Sequence, residues 1–338
     1  MRRVSSRGRA RTATFAALLV LLPLVACSSP ESPEWQIVGR HLPSALFSVW
    51  GTSATDVFVV GGDAGDGRGP VVQHFDGASW TRLPTGHVGN LWWVFGFPGG
   101  PIYMGCDGGA ILRYQGGTFT PLATPGIGTV YGIWGATPDD VWAVGGNPGG
   151  QSGAFAWRLQ GDTWADAPGF PADLATSDAI WKMYGRSASD AWMVGTGGKA
   201  LHWDGVSLTQ VSTGAGESLF TVHADANGYV AVGGVGTGVV LENTGSGWHN
   251  ASPSGASPLI GVCLSAHGDY AVGQDGAVYT RKASAWSKVQ TGLVIDESFH
   301  SVWVDPSGAV WAVGGEVLTP PYLDGIVAHQ GAQIPEGL

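Results

Sequence analysis

The stretch Gly132–Gly146, GIWGATPDDVWAVGG, recurs along this chain, and that recurrence limits the fold more than any other feature. Copies begin at Ser48 (SVWGTSATDVFVVGG), Trp93 (WVFGFPGGPIYMGC), Lys182 (KMYGRSASDAWMVG), Thr221 (TVHADANGYVAVGG), Gly261 (GVCLSAHGDYAVG) and Ser301 (SVWVDPSGAVWAVGG), which makes seven units. Each opens on a short apolar strand, such as Phe47 to Trp50, Tyr131 to Trp134 or His300 to Trp303. It turns through Ser, Thr, Asp, Pro or Gly and returns as a second strand, such as Val57 to Val60, Val141 to Val144 or Val310 to Val313. Aromatic and β-branched residues favour strands, while Asp and Gly suit turns. A Gly-rich loop then leads to a third strand (Val71 to Phe75, Ala200 to Trp203, Ala277 to Thr280) and a fourth opening on Trp80, Phe119, Trp164, Trp248 or Trp286.

The glycine closing the second strand falls at 61, 105, 145, 195, 233, 273 and 314, a period near 40. Four short strands at that period predict an all-β chain, a seven-bladed β-propeller with four antiparallel strands per blade. Leucine-rich and ankyrin repeats are shorter and carry helices, for which nothing here has the period. Closure is legible too. After Ile326 to His329 only GAQIPEGL remains, with no aromatic at the expected place, whereas Trp35 to Val38 has the form of a fourth strand. The simplest reading is that this N-terminal strand completes the last blade; the alternative is that Ile334 to Leu338 does so.

Residues 1–27 form a separate module. Arg2, Arg3, Arg7, Arg9 and Arg11 precede an apolar run from Phe15 to Val25, with no acid among them, and then Leu24-Val25-Ala26-Cys27. This reads as an export signal, with an apolar run shorter than the ~18–20 residues that span a bilayer. Leu-Val-Ala-Cys resembles a bacterial lipobox. The resemblance implies that Cys27 is acylated and becomes the first mature residue, anchoring the protein to a membrane of the bacterial envelope on its extracytoplasmic side. Residues 28–34, SSPESPE, would then be a tether reaching at most about 24 Å, and residues 35–338 the propeller.

The units from Trp35 to about Leu338 resemble the WG-x-S-x-x-DVWAVGG repeats of bacterial propeller lipoproteins. They are more distantly similar to kelch, BNR and Ycf48-like propellers: Val144-Gly145-Gly146 resembles the kelch strand ending in a Gly pair, and Trp164 its later tryptophan. The resemblance implies fold and location, not function, because the matching residues build blades.

Five of the 16 basic residues lie in the export segment while all 26 acids lie beyond it, which leaves the body at a net −15. Nucleic acid is excluded as a partner for want of clustered Lys and Arg. Cys106 and Cys263 fall in blades that are not neighbours, so two buried free thiols are expected rather than a disulfide. No catalytic signature is present and no cofactor or metal is expected: G-x-S-x-G, H-E-x-x-H, a P-loop and a closely spaced Cys/His set are all missing. His74 and His202 occupy one repeat position and belong to the blade pattern.

Candidate binding residues come from two places. Aligned first strands give one ring of Phe47, Trp92, Tyr131, Trp181, Phe220, Ile260 and His300, and a second of Ser48, Trp93, Gly132, Lys182, Thr221, Gly261 and Ser301, where Trp93 and Lys182 stand out among small residues. They either fill space left by small neighbours or line the mouth of the axial channel. The long loops on one face add Asp63, Asp66 and Arg68, Asp178, Asp296 and Glu297, and Tyr322. Asp63 and Asp66 are oxygen donors for Ca²⁺ without a full ligand loop, so solvated turns are the simpler reading. The expectation is a monomeric, non-enzymatic binding or assembly scaffold that engages a protein or surface glycan through this face. The alternative is a carbohydrate-active hydrolase using Asp63, Asp178, Asp296 or Glu297, to be recognised by an acid pair facing across the channel mouth.

Overall fold

The computed structural model describes residues 1–2, 8, 34–148, 150, 152–174, 178–332 and 338. Cys27 and its lipobox, nearly all of the tether and most of the segment 334–338 lie outside the described residues. From Trp35 the chain forms seven four-stranded antiparallel sheets arranged as a β-propeller. In blade one the strands are Leu46–Ser53, Asp56–Asp63, Pro70–Phe75 and Trp80–Arg82, each paired with the next. Blade seven takes Ser298–Val304, Val310–Gly315 and Gly325–Gln330 from the end of the chain and Trp35–Leu42 from its beginning as the outermost strand. Trp35 pairs with Gln330 and Leu42 with Gly325, so the N-terminal strand closes the ring.

The second strand of each blade is apolar on both faces because it packs against a blade on either side. In Asp140–Gly146 all seven residues are buried. The core therefore lies between blades: Trp142, Val144 and Ala156 of blade three meet Met183, Met193 and Trp203 of blade four. The Asp of the repeat locks second strand to third. Asp140 Oδ1 accepts from Trp142 Nε1 (3.1 Å) and Arg158 Nε (2.8 Å), and the Arg158 guanidinium lies 5.0 Å from the Trp142 ring centre. His74 makes the same clamp with Asp56 (2.7 Å) while stacking on Phe58, and His202 with Asp190 (2.9 Å) while stacking on Trp192.

The glycine closing the second strand is required by backbone approach. A Cβ on Gly145 would sit 2.0 Å from the Thr129 carbonyl oxygen, and one on Gly314 1.9 Å from that of Ser298. In blade two the structure corrects the sequence alignment. Gly96 pairs with Ile102 as Gly135 pairs with Val141, which puts Cys106, the partner of Leu91, level with Gly145. Gly105 comes one residue earlier and pairs with Trp93.

Cys106 and Cys263 are free and buried. Burial pushes both thiols up, Cys263 to about 12. Neither should react with a thiol reagent at pH 8 in the folded protein, and both should react within the mixing time in denaturant, as read by mass shift. Replacing the fully buried Trp142 by Ala is expected to lower unfolding free energy by about 3–5 kcal/mol in urea titrations.

Candidate functional site

Near the start of every innermost strand the pairing skips one residue. Leu46 pairs with Gly61 and Ser48 with Val60, which leaves Phe47 out of the ladder. The same skip occurs at Trp92, Tyr131, Trp181, Phe220, Ile260 and His300. One extra residue in a strand makes a β-bulge, which bends the strand and re-aims the side chain. Repeated around the ring, the bulges build a collar of side chains in contact. Phe47 stacks on Trp92 at 4.3 Å, Trp92 meets Tyr131 edge-on at 5.3 Å, Tyr131 lies 4.6 Å from Trp181, and Trp181 5.8 Å from Phe220. His300 approaches Phe47 at 5.3 Å from the other side, and Tyr322, from the blade-seven loop, stands edge-on to Phe47 and Trp92.

A cavity of about 300 Å³ opens within the collar, lined by Trp92, Tyr131, Trp181, Phe220, Ile260 and His300. Loops joining second and third strands of blades five to seven add Val235, Gln274, Leu318 and Tyr322 to its wall. Among the described residues, no Asp or Glu lines it.

Of the second ring, Lys182 and Thr221 reach the cavity. Lys182 is 5% exposed, its Nζ donates to the Tyr131 carbonyl oxygen at 2.6 Å, and the same ammonium lies 4.4 Å from the centre of the Trp93 ring. Trp93 is anchored by its Nε1 donating to the Ile133 carbonyl oxygen (2.9 Å). Between them stands Gly132, where a Cβ would meet Lys182 Cα at 3.1 Å. Burial pulls the Lys182 ammonium down to about 7, because removing it from water favours the neutral amine. His300 Nδ1 donates to the Phe47 carbonyl oxygen (2.6 Å), and burial, helped by the Lys182 charge, pushes this imidazole down to about 3. It is neutral at physiological pH, which leaves Nε2 an acceptor.

Of the carboxylates singled out in the sequence, Asp63, Asp66, Asp178 and Glu297 are engaged elsewhere. Asp63 accepts from the backbone N–H groups of Gly65 (2.9 Å) and Gly89 (3.1 Å), tying two loops. Asp66 accepts from the Arg68 backbone N–H (2.9 Å) and the Arg82 guanidinium (3.2 Å), which hold its carboxyl below the usual range; Arg68 itself is exposed. Asp178 is buried against Lys199 Nζ at 3.2 Å. Burial alone would push Glu297 up, but the two-pronged Arg40 contact (2.9 and 3.1 Å) overrides it and holds the carboxyl low. Asp296 is exposed next to it. No group of three His, Cys, Asp or Glu is placed to hold a metal among the described residues. The structure thus gathers Trp92, Trp181, Lys182, His300 and Tyr322 at one cavity, with Trp93 beneath Lys182, and leaves the acids and Arg68 outside it. Val235, Gln274 and Leu318 escaped the sequence reading because only the blade arrangement brings those loop tips over the axis.

Solved structures share the fold. The WD40 repeats of RRP9 superpose with a TM-score of 0.68 at 12% identity, over 89% of this chain and 99% of that one. A catalytically inactive virginiamycin B lyase from Staphylococcus aureus with quinupristin gives 0.67 at 11%, over 88% and 99%. YCF48 bound to a D1 peptide gives 0.64 at 12%, over 90% and 100%. The likeness is one of fold. No protein-family model matches the chain, and no curated protein matches it in sequence.

The Lys182 burial has a measurable signature. Between pH 7 and about 10 the unfolded chain holds a proton on this lysine that the folded protein lacks, so stability from this group rises with pH across that window. Lys182→Met should be the more stable protein at pH 7, by about 1–3 kcal/mol. Its advantage in urea titrations should shrink by up to about 1.4 kcal/mol per pH unit between pH 7 and 9.

Proposed function

We propose that this propeller is a non-enzymatic binding scaffold, anchored to a bacterial envelope membrane through a lipid on Cys27, and that it engages a protein partner through the face on which the collar opens. The observation that carries this is the collar itself: six of the seven bulged positions line a cavity walled largely by aromatic rings and, among the described residues, free of carboxylates.

The surroundings favour a protein over a glycan. Among the described residues beyond Met1, seven large aliphatic side chains are exposed, and six of them (Val88, Ile127, Val235, Val294, Leu318 and Leu323) lie on loops of the collar face. Exposed apolar residues gathered on one face mark an interaction site, and aliphatic ones suit an apolar protein surface better than sugar hydroxyls. The chain enters the body at Trp35, whose partner Gln330 sits at the hairpin end of blade seven, opposite the collar. Among similar folds, YCF48 was solved with a bound peptide and virginiamycin B lyase is by name an enzyme, so the fold is compatible with either role. The hydrolase alternative draws no support from the geometry, since Asp63, Asp178 and Glu297 are held by partners and no acid pair faces the cavity.

The test is capture by the body, residues 28–338, from detergent-solubilised envelope and, separately, from purified wall glycan, beside a Val235→Asp/Leu318→Asp variant. A stoichiometric protein captured by the natural body and lost with the variant is expected. Retention of glycan alone would move the reading to a glycan. Release of glycan fragments that stops on substituting Asp63, Asp178, Asp296 or Glu297 would replace the scaffold by the hydrolase.

A further inference from the structure

Lys182 has a feature that the packing of the ring does not use. Its ammonium is nearly sequestered from water, yet a backbone carbonyl and an aromatic face are the partners that the structure gives it, and among the described residues no carboxylate is paired with it. A buried ammonium normally finds an acid, because one hydrogen bond and one ring face do not replace its hydration. The charged groups around the collar do not supply one. Asp107 is turned to Trp92 Nε1 (2.6 Å) and to Asn90 (2.7 Å), and its charge acts on Tyr131 and Tyr322. Asp178, one blade edge away, is bound to Lys199. His300 is neutral, and burial pushes the Tyr131 phenol up to about 12, so that Lys182 alone of these groups changes charge between pH 6 and 9.

We infer that the collar cavity binds a small organic anion, with its carboxylate on the Lys182 ammonium and a flat apolar body lying against Trp92, Tyr131 and Trp181. The dimensions suit this class. At about 300 Å³ the cavity is roughly twice the ~150 Å³ that accommodates one benzene ring, so two fused rings with a carboxylate fit it. The chemistry suits it as well: ring faces and edges at 4.6–5.8 Å from one another leave π-surfaces as walls, while the amine stands one residue further along the innermost strand from Trp181, at the inner end of the cavity. Gln274 supplies an amide and His300 an acceptor at the wall. Binding takes up a proton whenever the lysine starts neutral. Affinity is therefore level below pH 7 and falls about tenfold per pH unit above it, until the pKa of the ligand-bound lysine is reached.

This inference rests on reading the propeller as a binding module and gives its cavity a ligand class. It is tested by isothermal titration of the full chain in detergent with 2-naphthoate and with 2-naphthamide, which differ in charge and share a shape. The carboxylate should bind at least about tenfold more tightly than the amide at pH 6. That preference should fade at pH 8.5 and be absent in Lys182→Met, which should bind both probes alike. Equal affinities at pH 6, a preference surviving in Lys182→Met, or no binding of either probe at millimolar concentration would overturn it. Should Lys182→Met not fold, the pH 6 against pH 8.5 comparison on the natural chain decides alone. Capture of a protein partner without binding of the probe removes only this inference; probe binding without a captured partner removes only the scaffold reading.

Discussion

Seven innermost strands must run side by side around one axis, and the closeness of their backbones governs the rest of this molecule. The distances leave little choice of residue. Within a blade, a Cβ on Gly61, Gly233 or Gly273 would fall 2.0–2.1 Å from the carbonyl oxygen that precedes the innermost strand of the same blade. In the second ring, a Cβ on Gly261 would meet the His300 carbonyl oxygen at 2.9 Å and Ser301 Cα at 3.0 Å. Contacts of that length have no van der Waals solution short of moving backbone. The glycine that ends the second strand is therefore a condition for the bulged start of its own blade, and the second-ring Gly132 and Gly261 are conditions for bringing neighbouring blades together at the axis.

Crowding at the axis also explains why function can sit there. A bulged residue is outside the ladder, so exchanging its side chain breaks no inter-strand hydrogen bond. The positions at 47, 92, 131, 181, 220, 260 and 300 hold Phe, Trp, Tyr, Trp, Phe, Ile and His, a wider range than the Leu, Leu, Val, Ile, Leu, Leu and Phe of the paired positions just before them. Paired positions carry the architecture, through the clamp that Asp140, Arg158 and Trp142 make in blade three and its counterparts in blades one and four.

That division explains what the sequence made legible. Repeat length, strand order and the N-terminal closing strand could be read because each repeats locally or leaves a conspicuous gap. The ring of seven could be read by aligning first strands, although nothing in the letters announces a bulge, since it depends on how Leu46 and Ser48 pair with Gly61 and Val60. The alignment slipped at Cys106, where a neighbouring glycine imitates the pattern. The acids were misplaced for a different reason. Whether a carboxylate is free depends on what distant chain brings to it, and Arg40 meets Glu297 from 257 residues away across the closure of the ring. Composition places such residues on loops; only the fold reveals them as staples.

Lys182 shows how packing and recognition can be separated at one position. The volume it occupies, over Gly132 and against Trp93, could be filled by methionine, a chain of similar length without the desolvation cost of an amine. The Tyr131 carbonyl and the Trp93 ring offset part of that cost and fix the ammonium at a residue that lines the cavity. They leave the amine near the point where it is charged or neutral with equal ease. A group poised in this way, walled by aromatic rings and lacking an acid of its own, recovers its full charge when an anion arrives. The folded body alone gives the amine no role that its carbon chain would not fill.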